Sequence, residues 1–275
     1  MKKRIIAIVF IISFVFSIPL SSVYAQKPLK GVALGDSVPA FYGVEEQDGY
    51  VAQLVELLKA EKIETEFVNL AVNGLSTQTL LEQLTEADIL AELENADIIT
   101  LNIGGNNVLI PFAEIVLDEL KALKITDITK ASPVVLMAFM GKKLTEKQIE
   151  SLMENIEMFE EEFPEIIEIL NTVAPNAEIF VNTVYNPIPA ILGIYAASEI
   201  LIPYMNEFII KNSEELGYIV VDIYSIYKDS ADSITNFNAA RGSVDIHPNV
   251  QGHALIAEAV ASEIIKVYVN NKTGK

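Results

Sequence analysis

The stretch "VALGDSVPAFYG", residues 32–43, decides how the rest of the chain is read. An apolar run, Val32 to Leu34, stops abruptly in Gly-Asp-Ser, and a proline stands two residues past the serine. Such a serine is either a nucleophile presented at a strand end or an ordinary turn serine, because Gly, Asp and Ser are all favoured in turns. The choice rests on what the remaining sequence delivers to the same place.

Working outward, the chain alternates short apolar runs with longer periodic segments. "GVAL" (31–34), "TEFVNLA" (65–71), "DIITLNI" (97–103), "EIFVNTV" (178–184) and "YIVVDI" (218–223) are rich in Val and Ile, as strands buried on both faces should be. Helical patterns fall near 50–60, 77–93, 145–172, 191–216 and 252–268. This alternation predicts an α/β protein of three layers, α/β/α, around a central five-stranded parallel sheet. No internal repeat or low-complexity linker interrupts it, so residues 26–275 are read as one domain.

The segment between the third and fourth strands, about residues 106–176, is a helical insertion far longer than a minimal crossover. In its second half Ile149, Leu152, Met153, Ile156, Phe159, Phe163, Ile166, Ile167 and Leu170 recur at spacings of three and four, an amphipathic helix. Thr145 and Gln148 fit a capping box at its start, and Pro164 is expected to divide it into two. In the first half, "SPVVLMAFMGKK" (132–143) offers Ser132 as N-cap and Pro133 at the first helical position. That short helix is apolar nearly all round, which predicts burial.

The chain begins with Lys2, Lys3 and Arg4, then an uncharged apolar stretch over 5–20, then Ser-Ser-Val-Tyr-Ala. Val23 and Ala25 are small at the two positions a signal peptidase inspects, so a signal peptide over 1–25 and a secreted, extracellular protein are expected. An uncleaved anchor is the competing reading, since the apolar stretch is close to bilayer-spanning length. With no cysteine there is neither a lipidated-cysteine anchor nor a disulfide framework, and the core must supply the stability. The 250 residues after Ala25 are enough for that. Net charge is −19, or about −22 without the three leader cations, which repels nucleic acid and anionic membrane surfaces alike. Two histidines, no cysteine and no calcium-loop pattern leave no metal ligand set, and no cofactor is expected.

In an open parallel sheet, ligands bind outside the carboxyl ends of the strands. Gly35-Asp36-Ser37 follows the first strand, Asn73-Gly74 the second, and Gly104-Gly105-Asn106-Asn107 the third. Asp245 and His247, in "GSVDIHPNVQGH" (242–253), follow the fifth. Each alone is an ordinary turn or cap; together they fit acyl transfer. His247 suits the base that takes the Ser37 proton. The N–H groups of Ser37 and Gly74, with the Asn106 amide, could bind an oxyanion. Asp245 is the nearest carboxylate able to hold the other imidazole nitrogen. His253, at the start of the final helical pattern, is read as structural.

These blocks resemble the GDSL or SGNH hydrolases over nearly the whole chain after the leader. The matches are Ser37 in "GDS", Gly74 in "NLAVNGLS", Asn106 in "GGNN" and His247 in "DIHPN", in the family's order, with "VYNP" (184–187) as a further similarity. The resemblance implies a flavodoxin-like fold, no metal, and esterase, lipase or carbohydrate deacetylase activity. Three positions depart from the family. Asn107 stands where an aspartate is usual, and Pro39 follows the serine block. Val244 occupies the position, three before the histidine, where the catalytic aspartate normally sits. Asp245, a backbone carbonyl, Asp229 or Asp232 could orient His247 instead.

The insertion begins beside Asn106, so its apolar helix, with Met137 and Met140, either lines an acyl-chain pocket, serves as a mobile cover, or is ordinary core. A lipid-like or medium-chain acyl ester is the expected substrate. A carbohydrate O-acetyl esterase is the second enzyme reading, and a catalytically silent surface-binding domain on the same fold is the third.

Overall fold

Runs of Val and Ile become strands where both of their faces can be covered, and the covering helices decide which runs pair. In the computed structural model, described over residues 27–273 apart from 122, 128–130, 191, 231 and 232, five strands form one sheet. They are β1 (Leu29–Gly35), β2 (Thr65–Asn69), β3 (Ile98–Asn102), β4 (Glu178–Asn182) and β5 (Ile219–Val221). Their order is β2-β1-β3-β4-β5 and every neighbouring pair is parallel. The expected signal peptide and Asp232 lie outside the described residues. Among these residues no helix is long and apolar enough to cross a membrane.

The helices in chain order are α1 (Tyr50–Ala60), α2 (Thr77–Gln83), α3 (Ala87–Leu93), α4 (Gly105–Lys121), α5 (Pro133–Met140), α6 (Glu146–Val173), α7 (Tyr195–Lys211), α8 (Ser213–Leu216), α9 (Ile223–Asp229) and α10 (Val250–Thr273). Strand side chains alternate between two cores. Val32, Leu34, Ile99, Leu101, Ile179 and Val181 face a layer built by α2, α3, α6 and α7. Ala33, Ile98, Phe180 and Val221 face the opposite layer of α1, α9 and α10. The three-layer α/β/α fold with a flavodoxin-like strand order is therefore observed. In this order the chain leaves β1 toward one edge and β3 toward the other, which opens a crevice between their carboxyl ends.

The structure departs from the sequence reading in four places. β2 is an edge strand with Val68 39 % exposed, and β5 at the other edge is only half-buried at Ile219 and Val220, so three strands are buried on both faces. The 77–93 pattern is two helices, broken where the Thr85 hydroxyl bonds back to the Glu82 carbonyl at 2.7 Å and competes with the helical ladder. Pro164 does not divide α6, which runs unbroken from a Thr145–Gln148 capping box. Phe159 and Phe163 before the proline and Ile166 and Ile167 after it are all fully buried, so packing on both sides outweighs one missing hydrogen bond. α5 has the Ser132 cap and Pro133 start, but it is a surface helix: Val134 is 78 % exposed and only Met140 is buried.

Phe163 stacks on Phe159 with ring centroids 5.1 Å apart and meets Tyr218 edge-on at 5.7 Å. Phe163→Ala is expected to cost about 3–5 kcal/mol by urea denaturation, whereas Val134→Ala should move stability by less than about 0.5 kcal/mol.

Candidate active site

β1 ends in a backbone conformation that only glycine tolerates. Gly35 has φ +130°, and a Cβ there would stand 2.0 Å from the Asn102 carbonyl oxygen on β3. That approach lets Asp36 N–H donate to the same carbonyl at 3.1 Å, so the two strand ends are stitched together directly before Ser37. Beyond the serine the chain folds as successive turns rather than a helix, with Phe41 N–H donating to Val38 O and Tyr42 N–H to Ser37 O. Pro39 fits here because the turn asks nothing of its missing N–H, while its carbonyl accepts from Asn69 Nδ2 at 2.7 Å.

Asp36 is buried beside Ser37. Its Oδ1 accepts from Val38 N–H at 3.1 Å and from Asn102 Nδ2 at 3.2 Å, and Asn102 Oδ1 accepts from Asn182 Nδ2 at 3.3 Å. This polar line crosses β1, β3 and β4 beneath the crevice. Burial lifts the Asp36 carboxyl from the usual 3.8 to about 7, against the opposing pull of those two donors.

The two following loops are tied to each other. Asn106 Nδ2 donates to the Leu75 carbonyl at 2.9 Å, which uses one of its two hydrogens. Gly74, one residue before Leu75, is exposed with φ +89° and lies outside the lining of the cavity described below. Asn107 explains its own presence. Its Oδ1 accepts from Thr77 N–H at 3.2 Å and its Nδ2 donates to Thr77 Oγ1 at 2.7 Å, while that hydroxyl gives its hydrogen to Glu162 on α6. With the Thr77 hydrogen committed to Glu162, its oxygen needs a donor, which an amide supplies and an aspartate cannot.

His247 precedes α10, whose first turn is capped by Asn249 Oδ1 on Gly252 N–H at 3.0 Å. Asp245 reaches it despite the short spacing. Asp245 Oδ1 accepts from the backbone N–H of His247 at 3.0 Å, an Asx turn, and stands 2.6 Å from Nδ1 of the same residue. The turn itself delivers the carboxylate to the ring. Asp229, by contrast, ends α9 on the exposed surface.

Several residues that sequence reasoning missed seat this loop. The Tyr42 ring lies 4.4 Å from the imidazole. Gly43 has φ +91°, and a Cβ on it would meet Asn236 Nδ2 at 2.6 Å and His247 Cβ at 3.3 Å. Asn236 bonds the Gly43 and Pro248 carbonyls, and Tyr185 O–H donates to the Ile246 carbonyl at 3.2 Å. The available signal was the "FYG" closing residues 32–43 and the tyrosine of "VYNP". His253 is fully buried and accepts from Tyr50 N–H through Nδ1 at 3.2 Å; burial pulls its pKa down to about 4.

Ser37, Asn106 and His247 line one cavity of about 900 Å³, counted with the space at its mouth. Asp36, Asn102 and Ser198 also reach it, but the walls are mainly Val108, Leu109, Phe112, Leu144, Ile188, Ile194, Leu201 and Ile202. Met137 and Met140, expected to bind substrate, are not in this lining. They pack behind it, against Leu144 and Ile194, because α5 lies one layer outside the walls that α4 and the segment before α7 provide. Among the described residues, no group of three or more His, Asp or Glu side chains could hold a metal ion.

The fold and site define a class: three-layer α/β/α proteins of flavodoxin-like strand order with Ser, Asn and His gathered at the carboxyl edge of the sheet. The chain belongs to the GDSL-like Lipase/Acylhydrolase family, whose model matches residues 33–255, and ester hydrolysis is the broad activity of that family. A relative from Bacillus subtilis (strain 168), the uncharacterized protein YpmR, is 24 % identical over 237 residues, 85 % of this chain and 80 % of that one. Among solved structures, the lipase Lip_vut3 from a goat rumen metagenome superposes with a TM-score of 0.63 at 20 % identity, covering 85 % of this chain and 96 % of its own. An extracellular lipase from Streptomyces rimosus gives 0.61 at 18 % identity, covering 85 % and 99 %. A variant of the acetyl xylan esterase Axe2 from Geobacillus stearothermophilus gives 0.55 at 17 % identity, covering 86 % and 94 %. These likenesses establish the shared fold.

Two outcomes follow from the geometry. The folded state holds the Asp36 proton between about pH 4 and 7, where the unfolded chain has released it, so this group lowers stability as pH rises through that window. Asp36→Asn keeps the Oδ1 acceptor and removes the charge. Its stability relative to the parent should rise from pH 4.5 to pH 8 by on the order of 4 kcal/mol at most, read from paired thermal melts. His253 titrates in both proteins and cancels; a difference independent of pH would contradict the assignment. Asn107→Asp removes the donor to Thr77 and sets a second carboxylate near Glu162. It should cost about 1–3 kcal/mol in urea melts, and Glu162→Gln should restore part of the loss.

Proposed function

We propose that this protein is a secreted serine esterase that hydrolyses medium-chain or longer acyl esters by an acyl-enzyme mechanism. The observation that carries the reading is a single apolar-walled cavity reached by both Ser37 and His247, with Asp245 2.6 Å from His247 Nδ1. An Nδ1–H donated to Asp245 leaves Nε2 free to take the Ser37 proton as Oγ attacks the ester carbonyl. The oxyanion that forms is met by the N–H of Ser37 and by the second hydrogen of Asn106 Nδ2, the first being held by Leu75; Gly74, expected to join them, stands outside the cavity lining. Collapse breaks the C–O bond, and His247 returns the proton to the leaving alcohol. Water then attacks the acyl-serine, again through His247, and releases the acid.

The walls favour an apolar acyl group over acetate. Each added methylene buried in them should raise kcat/KM by up to about fourfold until the cavity is full, from about 0.8 kcal/mol per methylene. p-Nitrophenyl esters from acetate to decanoate measure this; a strict preference for acetate would favour a carbohydrate O-acetyl esterase. A fluorophosphonate probe should label the folded protein and fail to label Ser37→Ala. An unlabelled parent would mean a silent binding domain. Asp245→Asn should lower kcat by about 10³–10⁴-fold if it is the orienting acid. For export, the extracellular protein should begin at Gln26 by N-terminal sequencing.

A further inference from the structure

Asp245 is not held by its own burial, for its side chain remains 34 % exposed against 18 % for His247. Its half-buried neighbour supplies the anchor. Val244 packs with Phe237 on a cluster made by Met140, Leu192 and Ile194. Ile194 is also a wall of the cavity, as is Leu144, which packs on the same cluster. Ile194 N–H donates to the Met140 carbonyl at 3.2 Å, so α5 and the segment before α7 form one layer. That layer touches the cavity on one side and the residue preceding Asp245 on the other. The Asx turn is thus fastened to the wall against which an acyl chain would lie.

We propose that Val244 is a positioning residue that links the filling of the acyl cavity to the Asp245–His247 pair. A chain long enough to press on Ile194 and Leu144 steadies the layer, the layer steadies Val244, and the turn holds its carboxylate on Nδ1. Longer acyl chains then raise turnover as well as affinity. The same packing disfavours the acid one residue earlier: a carboxylate at 244 would lie against the apolar cluster of Met140, Leu192 and Ile194 instead of the imidazole. This inference rests on the esterase reading of the site.

The test assays Val244→Ala, Val244→Ile, Asp245→Asn and the exchange Val244→Asp with Asp245→Val on p-nitrophenyl butyrate and decanoate. In the parent, kcat should rise from butyrate to decanoate. Val244→Ala should lose that rise and lower kcat on decanoate by about 10- to 100-fold, with KM changed by less than about twofold. Val244→Ile should restore both, and the exchange variant should be as inactive as Asp245→Asn. Should Val244→Ala melt below the assay temperature, Val244→Thr gives the same kcat-against-KM reading. Unchanged kcat and an intact chain-length rise in Val244→Ala, or activity of the exchange variant well above Asp245→Asn, overturns the proposal. A fully active Asp245→Asn instead overturns the acid in the esterase reading, so the two failures are told apart.

Discussion

Where β1 and β3 end side by side, the Gly35 backbone presses on the Asn102 carbonyl, and the Asp36 carboxyl lies directly beyond, bonded to Val38 N–H and Asn102 Nδ2. Most of the site hangs from that contact. It fixes the turn on which Ser37 stands, and it sets the far side of β3, from which α4 presents Asn106 and Asn107. Through Asn182 the same polar line reaches β4, whose loop supplies Tyr185 to the Ile246 carbonyl. A buried polar network of this kind is costly unless satisfied, and here the bonds from Asn102 and Val38 hold Asp36 while Asn182 Oδ1 has no partner among the described residues.

The network also shapes the response to pH. Asp36, lifted to about 7, withdraws stability as pH rises from about 4 to 7. His253, pulled down to about 4, does the reverse: the unfolded chain binds its proton more readily below the usual value of 6.5, so folding is favoured as pH rises toward that value. The two slopes oppose each other over mildly acidic pH and flatten the dependence there. One group lies beside Ser37 and the other behind the loop that carries His247.

Much of this arrangement was legible because the relevant signals are local. Apolar runs named all five strands, Thr145 with Gln148 and Ser132 with Pro133 named two helix starts, and the loops after the strands pointed to Ser37, Asn106 and His247, which line one cavity. What was not legible depended on tertiary neighbours. Pro164 breaks an isolated helix, but four buried side chains hold α6 through it. The apolar helix α5 carries no mark of how many faces it covers, so Met137 and Met140 were assigned to the cavity when they stand behind it. The spacing of Asp245 read as a defect because the Asx turn that corrects it requires knowing the backbone. Gly43 and Tyr42 were invisible as seats for His247, since their partner lies at the other end of the chain.

That separation has a consequence for how the protein comes into being. Ser37, Gly74 and Asn106 all belong to the first half of the chain, whereas His247 sits immediately before α10, which packs on α1 and buries His253 against Tyr50. A ribosome therefore delivers Ser37, Gly74 and Asn106 well before it supplies His247. Until the last helix docks, His247 is not held beside the cavity that Ser37 and Asn106 line. Docking of the carboxyl-terminal helix is then the step that brings the two ends of the chain to one cavity.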